Sequence, residues 1–145
     1  MTQAQGTNST AGVAMYRKLG VQSEVETASP HRLIQMLLDG AMGKIAIARG
    51  NLNNGDIAGK GANISWAISI IGGLRTSLDL KGGGEIAENL DRLYDYMNQQ
   101  LVMANLHNDA DKLNEVYELL GELRAGWDGI KPLANGAPAD IPASA

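Results

Sequence analysis

Apolar residues recur every three or four positions through the middle of the chain, roughly from residue 29 to residue 131. This spacing is typical of amphipathic α-helices, and runs of Val, Thr and aromatic residues that favour strands are absent. Breaks at Asn53-Asn54-Gly55, at 81–84 and at Asn108-Asp109 divide the pattern into four long segments. Short connections between helices of similar length favour antiparallel neighbours. The pattern therefore predicts an all-α protein, an antiparallel up-down four-helix bundle.

Residues next to these segments support the boundaries. Ser29 can cap the first helix, and Pro30 follows at a position where the backbone N–H needs no partner. Asp56 can cap the second helix in the same way, and Pro132 stops the fourth.

The two ends of the chain have a different composition. Residues 1–14 contain no charge and are rich in Thr, Gln, Asn, Ser and Gly, which predicts a disordered arm. Residues 132–145 hold three of the four prolines and five alanines, which predicts a flexible tail. A short amphipathic element at 13–19 is predicted to lie against the bundle as an N-terminal helical cap. We therefore expect one bundle domain over residues 15–131.

The second segment is apolar on more sides than a bundle requires. It carries no charged residue between Lys60 and Arg75. At about 100° per residue, its apolar arc covers roughly 240°, whereas a bundle helix needs little more than about 100°. Trp66 and Ile70 fall outside the side on which the expected core residues cluster. Those core residues are Ile57, Ile64, Ile68, Ile71 and Leu78, with Ala67 and Leu74 at the margin.

The end of the third segment, 101–106, is also apolar on nearly every side. Exposed apolar patches usually mark protein interaction sites. Three coverings are possible for this surplus: the chain's own N-terminal segment, a second copy of the chain in a homodimer, or an amphipathic helix from another protein. The alternative is that the second helix is simply the most buried of the four.

Charge and composition exclude several classes of protein. The 145 residues carry a net charge of −4, which disfavours nucleic acid, and no apolar run is long enough to span a bilayer. Residues 82–131 carry ten acidic and four basic side chains, so the third and fourth helices are expected to present an acidic outer surface. The absence of a basic start followed by an apolar block makes the cytosol the expected compartment.

No catalytic or cofactor-binding pattern is present. There is no cysteine, and the two histidines, His31 and His107, are interpreted as surface or capping residues. A di-iron bundle needs Glu-x-x-His motifs, which are missing. Gly82-Gly83-Gly84-Glu85 lacks the Lys-Ser/Thr of a phosphate loop. We therefore expect no enzyme activity, no metal site and no cofactor.

Several stretches resemble the flagellar secretion chaperone family FliS, and the resemblance covers roughly residues 16–127. The matching residues are Tyr16, 25–41, 83–90, 93–97, Leu101, Ala104-Asn105, Leu113, Glu115-Val116, Leu119-Leu120, 122–124 and Trp127. Their order and spacing make coincidence improbable.

This resemblance implies a four-helix bundle that binds the disordered C-terminal segment of flagellin in the cytosol. Members of the family block premature filament assembly and help to deliver flagellin to the export gate. By this likeness, the surplus apolar face of the second helix receives the flagellin segment, and the element with Tyr16 is a cap that yields to it.

We therefore expect a non-enzymatic export chaperone, with a structural homodimer as the alternative. In the chaperone hypothesis Asn105 offers its amide to the backbone of the partner. The predicted partner-binding residues are Tyr16, Ile64, Trp66, Ile70, Ile71, Leu74, Leu101 and Asn105.

Overall fold

The structure, a computed structural model, describes residues 28–130. Within them the chain forms four α-helices and no strand: α1 (Pro30–Asn53), α2 (Ile57–Thr76), α3 (Gly84–His107) and α4 (Ala110–Asp128). The prediction of an all-α helical bundle is confirmed. The predicted arm at 1–14, the cap with Tyr16 and the tail at 132–145 lie outside the described residues.

Side-chain caps start three of the four helices. Ser29 Oγ accepts a hydrogen bond from the Arg32 N–H at 3.1 Å, and Asp56 accepts one from the Gly59 N–H at 2.9 Å. Asp109 caps α4 by accepting from the backbone of the second and third residues after it. Each cap satisfies N–H groups that have no partner inside the helix, so both predicted caps, Ser29 and Asp56, are confirmed.

Contacts between α2 and α3 pair the beginning of one helix with the end of the other. The Lys60 side chain reaches the backbone of Asn105, and further along α2 the Arg75 side chain reaches Asp91. These two helices therefore run in opposite directions.

The first and fourth helices also run in opposite directions, because the beginning of each lies beside the end of the other. His31 contacts Trp127 near one end, and the Arg49 side chain donates to Asn114 Oδ1 at 2.8 Å near the other. Each helix packs on its neighbours in the chain, and α4 closes the ring against α1.

One continuous apolar core lies between the four helices. Among its completely buried side chains are Leu37, Ile45, Ile64, Ile70, Ile71, Met97, Leu101, Leu113 and Leu120. The largest helix interface is that of α1 with α2.

The core includes one residue that the sequence pattern assigns elsewhere. We expected Ile70 outside the core side of α2, and this was wrong, because its side chain has 0% exposure. The physical reason is that α2 packs on α1 at one side and on α3 at the other. Its buried arc is therefore wider than that of a helix with a single apolar stripe. Ile57, expected in the core, is instead 50% exposed in the first turn of α2.

Candidate partner-binding surface

The eight predicted partner-binding residues fall into three groups. Tyr16 lies outside the described residues. Five members are core residues with at most 1% exposure, namely Ile64, Ile70, Ile71, Leu74 and Leu101. Trp66 and Asn105 are partly exposed, on α2 and α3 respectively. Only these two of the seven described residues can touch a partner without a rearrangement of the bundle.

A row of small residues forms the solvent-exposed side of α2. These residues follow one another at helical spacing and define what we term the α2 outer face: Ala58, Ala62, Ser65, Ser69 and Thr76. Lys60 and Arg75 lie near the two ends of the helix, and no charged residue occurs between them. Because exposed helix faces normally carry charged side chains, about four turns of helix without one form an unusual surface.

Trp66 lies at the side of α2 that borders α1. The Lys44 Nζ atom is 4.8 Å from the centre of the Trp66 ring, a cation–π distance. The indole Nε1 atom is buried and donates to no acceptor in the described part of the chain. A buried donor without an acceptor costs free energy, so this edge of α2 is held by packing and by Lys44 rather than by a hydrogen bond of the indole.

The end of α3 exposes an apolar strip on the other side of the α2 outer face. Val102 is 52% exposed and Leu106 is 69% exposed, with Met103 between them. The strip follows one turn after Asn98, whose Nδ2 atom donates to the Ile68 carbonyl of α2 at 3.4 Å. An open depression of about 360 Å³ lies over Asn98, Gln99, Val102 and Met103. Apolar side chains are therefore available to a partner at this edge.

A buried lysine joins α2 to the last turn of α3. Lys60 is only 3% exposed, and its Nζ atom donates to the Asn105 carbonyl at 2.8 Å. Next to it is Gly61, where an added Cβ would lie 3.6 Å from Asn105 Oδ1. The Asn105 side chain thus lies over a glycine of α2, at the border of the α2 outer face.

The other end of α2 is joined to α3 by charge pairing. Arg75 Nε lies 2.6 Å from Asp91 Oδ1, and Arg75 Nη1 lies 3.0 Å from Asp95 Oδ1. The hydrogen bond from Arg75 lowers the pKa of Asp91 below its ordinary value. The uncharged stretch of α2 is therefore bounded at each end by a basic side chain that bonds to α3.

Two contacts between helices were not predicted from the sequence, that of Lys60 with Asn105 and that of His31 with Trp127. Lys60 breaks the uncharged pattern of α2, yet periodicity alone cannot show that its long side chain is buried. The sequence predicts a surface or capping role for His31, but its ring stacks on Trp127 with centres 5.0 Å apart. His31 Nε2 donates to the Trp127 carbonyl, and Trp127 Nε1 donates to the His31 carbonyl, both at 2.9 Å. A contact across 96 residues leaves no local signal.

The candidate surface presents apolar side chains and an amide group. Between residues 28 and 130, no group of three or more His, Cys, Asp or Glu side chains is arranged to hold a metal ion. None of the four helices combines the length and the apolar character that crossing a membrane requires. The exposed groups of the candidate surface are those of the apolar strip, the α2 outer face and the Asn105 amide.

Comparison with known proteins identifies the family. The family model described as "Flagellar protein FliS" matches residues 12–134. Flagellar secretion chaperone FliSB of Pseudomonas aeruginosa is 50% identical over 115 residues, which cover 79% of this chain and 91% of that protein. Flagellar secretion chaperone FliS of Salmonella typhimurium is 47% identical over 126 residues, which cover 86% of this chain and 93% of that protein. The protein of the same name from Bacillus subtilis is 34% identical over 106 residues, covering 73% and 78%. This chain therefore belongs to the FliS family, a family of flagellar secretion chaperones and not of enzymes.

Proposed function

We propose that this protein is a cytosolic flagellar export chaperone that binds the disordered C-terminal segment of flagellin. Bound in this way, flagellin is kept from polymerising prematurely and is delivered to the type III export gate. The observation that carries the proposal is the α2 outer face, an exposed side of a helix without charge between Lys60 and Arg75. The names of the relatives in Pseudomonas aeruginosa and Salmonella typhimurium support it.

Desolvation makes an uncharged surface easier for a partner to cover than a charged one. A charged side chain that becomes covered by a partner must lose its water, which costs free energy unless it gains an opposite charge. A surface of Ala and Ser avoids this cost, and its short side chains let a partner helix approach closely. The α2 outer face thus favours a covering polypeptide over permanent contact with water.

The flagellin segment is proposed to bind as an amphipathic helix over α2, beside the strip at the end of α3. Trp66 and Asn105 make direct contacts, and Val102 and Leu106 extend the apolar surface. Ile64, Ile70, Ile71, Leu74 and Leu101 shape this surface from below. Burial supplies about 25 cal/mol for each Å² of apolar area, less the cost of ordering the segment. The role of Tyr16 as a displaceable cap stays a prediction.

Calorimetric titration with the flagellin C-terminal peptide, combined with light scattering, tests the proposal. We expect one peptide per chain and a negative heat capacity change, because apolar surface is buried on binding. Ser65→Asp places a charge on the α2 outer face and should weaken binding at least tenfold. Asn89→Asp adds the same charge to an exposed position of α3 away from α2 and should leave affinity unchanged.

The result that contradicts the proposal is equally specific. A homodimer that dissociates only on unfolding and ignores the peptide would favour the alternative, in which the same face pairs with a second copy. Equal affinities of the Ser65→Asp and Asn89→Asp variants would place the binding surface elsewhere.

A further inference from the structure

We propose that Lys60 is a positioning residue that holds the Asn105 amide in place for the backbone of the bound segment. This inference rests on the proposed function and assigns a role to a side chain that the client does not touch. Lys60 is the one buried polar or charged residue among those described, with 3% exposure. A lysine is almost never buried unless it is paired, so Lys60 requires a hydrogen-bonding partner.

The partner is a carbonyl group that the helix itself leaves unsatisfied. In an α-helix the Asn105 carbonyl would accept from the N–H four residues later, that of Asp109. That N–H instead bonds to the Ala104 carbonyl at 3.0 Å, because Asn108 adopts a left-handed conformation with φ of 53° and ends the helix. Lys60 Nζ fills the vacancy at 2.8 Å, and its positive charge also favours the negative C-terminal end of α3.

The side chain of the same residue is left available. Asn105 is partly exposed, and its amide makes no hydrogen bond within residues 28–130. A Cβ atom added to Gly61 would lie 3.6 Å from the Oδ1 atom of Asn105. The backbone of Asn105 is thus held to α2 while the amide stays unpaired at the border of the α2 outer face. An unpaired amide with one donor and one acceptor side fits a peptide backbone.

A double-mutant cycle with the flagellin C-terminal peptide separates positioning from folding. Lys60→Met keeps most of the length of the side chain but removes the donor, and we expect about tenfold weaker binding. Asn105→Ala removes the amide and should weaken binding by a similar factor. The double variant should bind no more weakly than Asn105→Ala alone, because Lys60 acts through the amide. Lys112→Met, on α4, is the matched control and should bind like the wild type.

A second variant keeps the test decisive if Lys60→Met does not fold. Gly61→Val leaves the lysine intact, and its branched side chain extends toward the Asn105 amide and displaces it. We expect the same tenfold loss, again absent in the Asn105→Ala background. Additive losses in both cycles, or unchanged affinity of the single variants, would overturn the role of Lys60 while leaving the proposed function standing. No binding of the peptide to the wild type would overturn both.

Discussion

The outer sides of α2 and α4 face the same solvent but have opposite chemistry. On α4 the exposed positions include Asp111, Glu118 and Glu122. Its Arg124 forms a two-pronged ion pair with Asp39 of α1. The α2 outer face offers only Ala, Ser and Thr side chains. Both helices belong to one bundle and both have a solvent-exposed side, yet only α4 covers that side with charged residues. The contrast supports the proposal that α2, and not α4, is covered by a partner.

The largest expected effect comes from placing a carboxylate on the buried side of α2 and comparing it with a carboxylate on the exposed side. Ile70→Asp should lower the free energy of unfolding by about 4 kcal/mol or more, because it buries an unpaired carboxylate and leaves a cavity. Ser69→Asp, one residue earlier on the outer face, should change it by less than about 0.5 kcal/mol. Urea unfolding followed by circular dichroism measures both. Similar stabilities of the two variants would remove the distinction between the inner and outer sides of α2.

The next effect compares the two outer faces in binding. Ser69→Glu should weaken the affinity for the flagellin C-terminal peptide ten- to a hundredfold, or about 1.4 to 2.8 kcal/mol. Neutralising α4 with Glu118→Gln and Glu122→Gln should change affinity less than twofold at physiological salt, because the charges lie on another side. Fluorescence anisotropy with labelled peptide measures both. A greater loss from the α4 pair would reverse the functional ranking of the two faces.

Two tyrosines of α3 have raised pKa values for different reasons, one through burial and the other through contact with the acidic side of the molecule. Burial raises the pKa of Tyr94 to about 12, and the hydrogen bond to Glu115 of α4 raises the pKa of Tyr96. A raised pKa means that the folded state disfavours the phenolate. The stabilisation is therefore complete below the ordinary value of 10.0 and is lost as the pH rises toward 12.

For Tyr94 this loss amounts to about 2 to 3 kcal/mol. Tyr94→Phe should flatten the dependence of stability on pH between 10 and 12, and Tyr96→Phe should flatten it less because that hydroxyl is exposed. Denaturant titrations at several alkaline pH values measure the slope. A greater effect of Tyr96→Phe would show that the α4 carboxylate, and not the core, controls alkaline unfolding.

The smallest effect concerns the charged border of α2. Because Arg75 lowers the pKa of Asp91, the folded state favours the carboxylate. The stabilisation is present above the ordinary pKa and is lost as the pH falls through it toward the lower folded-state value. Both side chains are partly exposed to solvent, 38% for Arg75 and 28% for Asp91, so we expect a change in melting temperature of only a few degrees.

In Arg75→Met the part of the acid sensitivity due to Asp91 should disappear, as thermal unfolding between pH 5 and pH 2 can show. The Arg124→Met variant, which breaks the link between α4 and α1, serves as the comparison. An unchanged acid profile in Arg75→Met would mean that the border of α2 contributes nothing measurable to stability.

Much of the fold could be predicted because its signals are local. The cap at Ser29 depends on an amide three residues away, and the break at Gly55 depends on a left-handed turn with φ of 74°. Such features lie within one helical turn of the residues that encode them. Helix boundaries therefore follow from short stretches of sequence.

The candidate site was harder to predict from the sequence, because the burial of a side chain depends on which helices pack beside it. The wheel of α2 places Ile70 outside the apolar side, but α1 and α3 together enclose it. Lys60 appears in the sequence as an ordinary surface lysine, and only the unsatisfied carbonyl at the end of α3 explains its burial. Trp66 and Asn105 remain predicted contacts, since their partner is not part of the chain.

The reciprocal bonds between His31 and Trp127 place the beginning of α1 beside the end of α4. A short peptide could therefore join residue 130 back to residue 28, and the chain could be opened at the turn 54–56 instead. Such a circular permutant would retain all four helices and their packing while moving both chain ends to the opposite pole of the bundle. It would separate what the bundle does by itself from what the segments before and after it contribute.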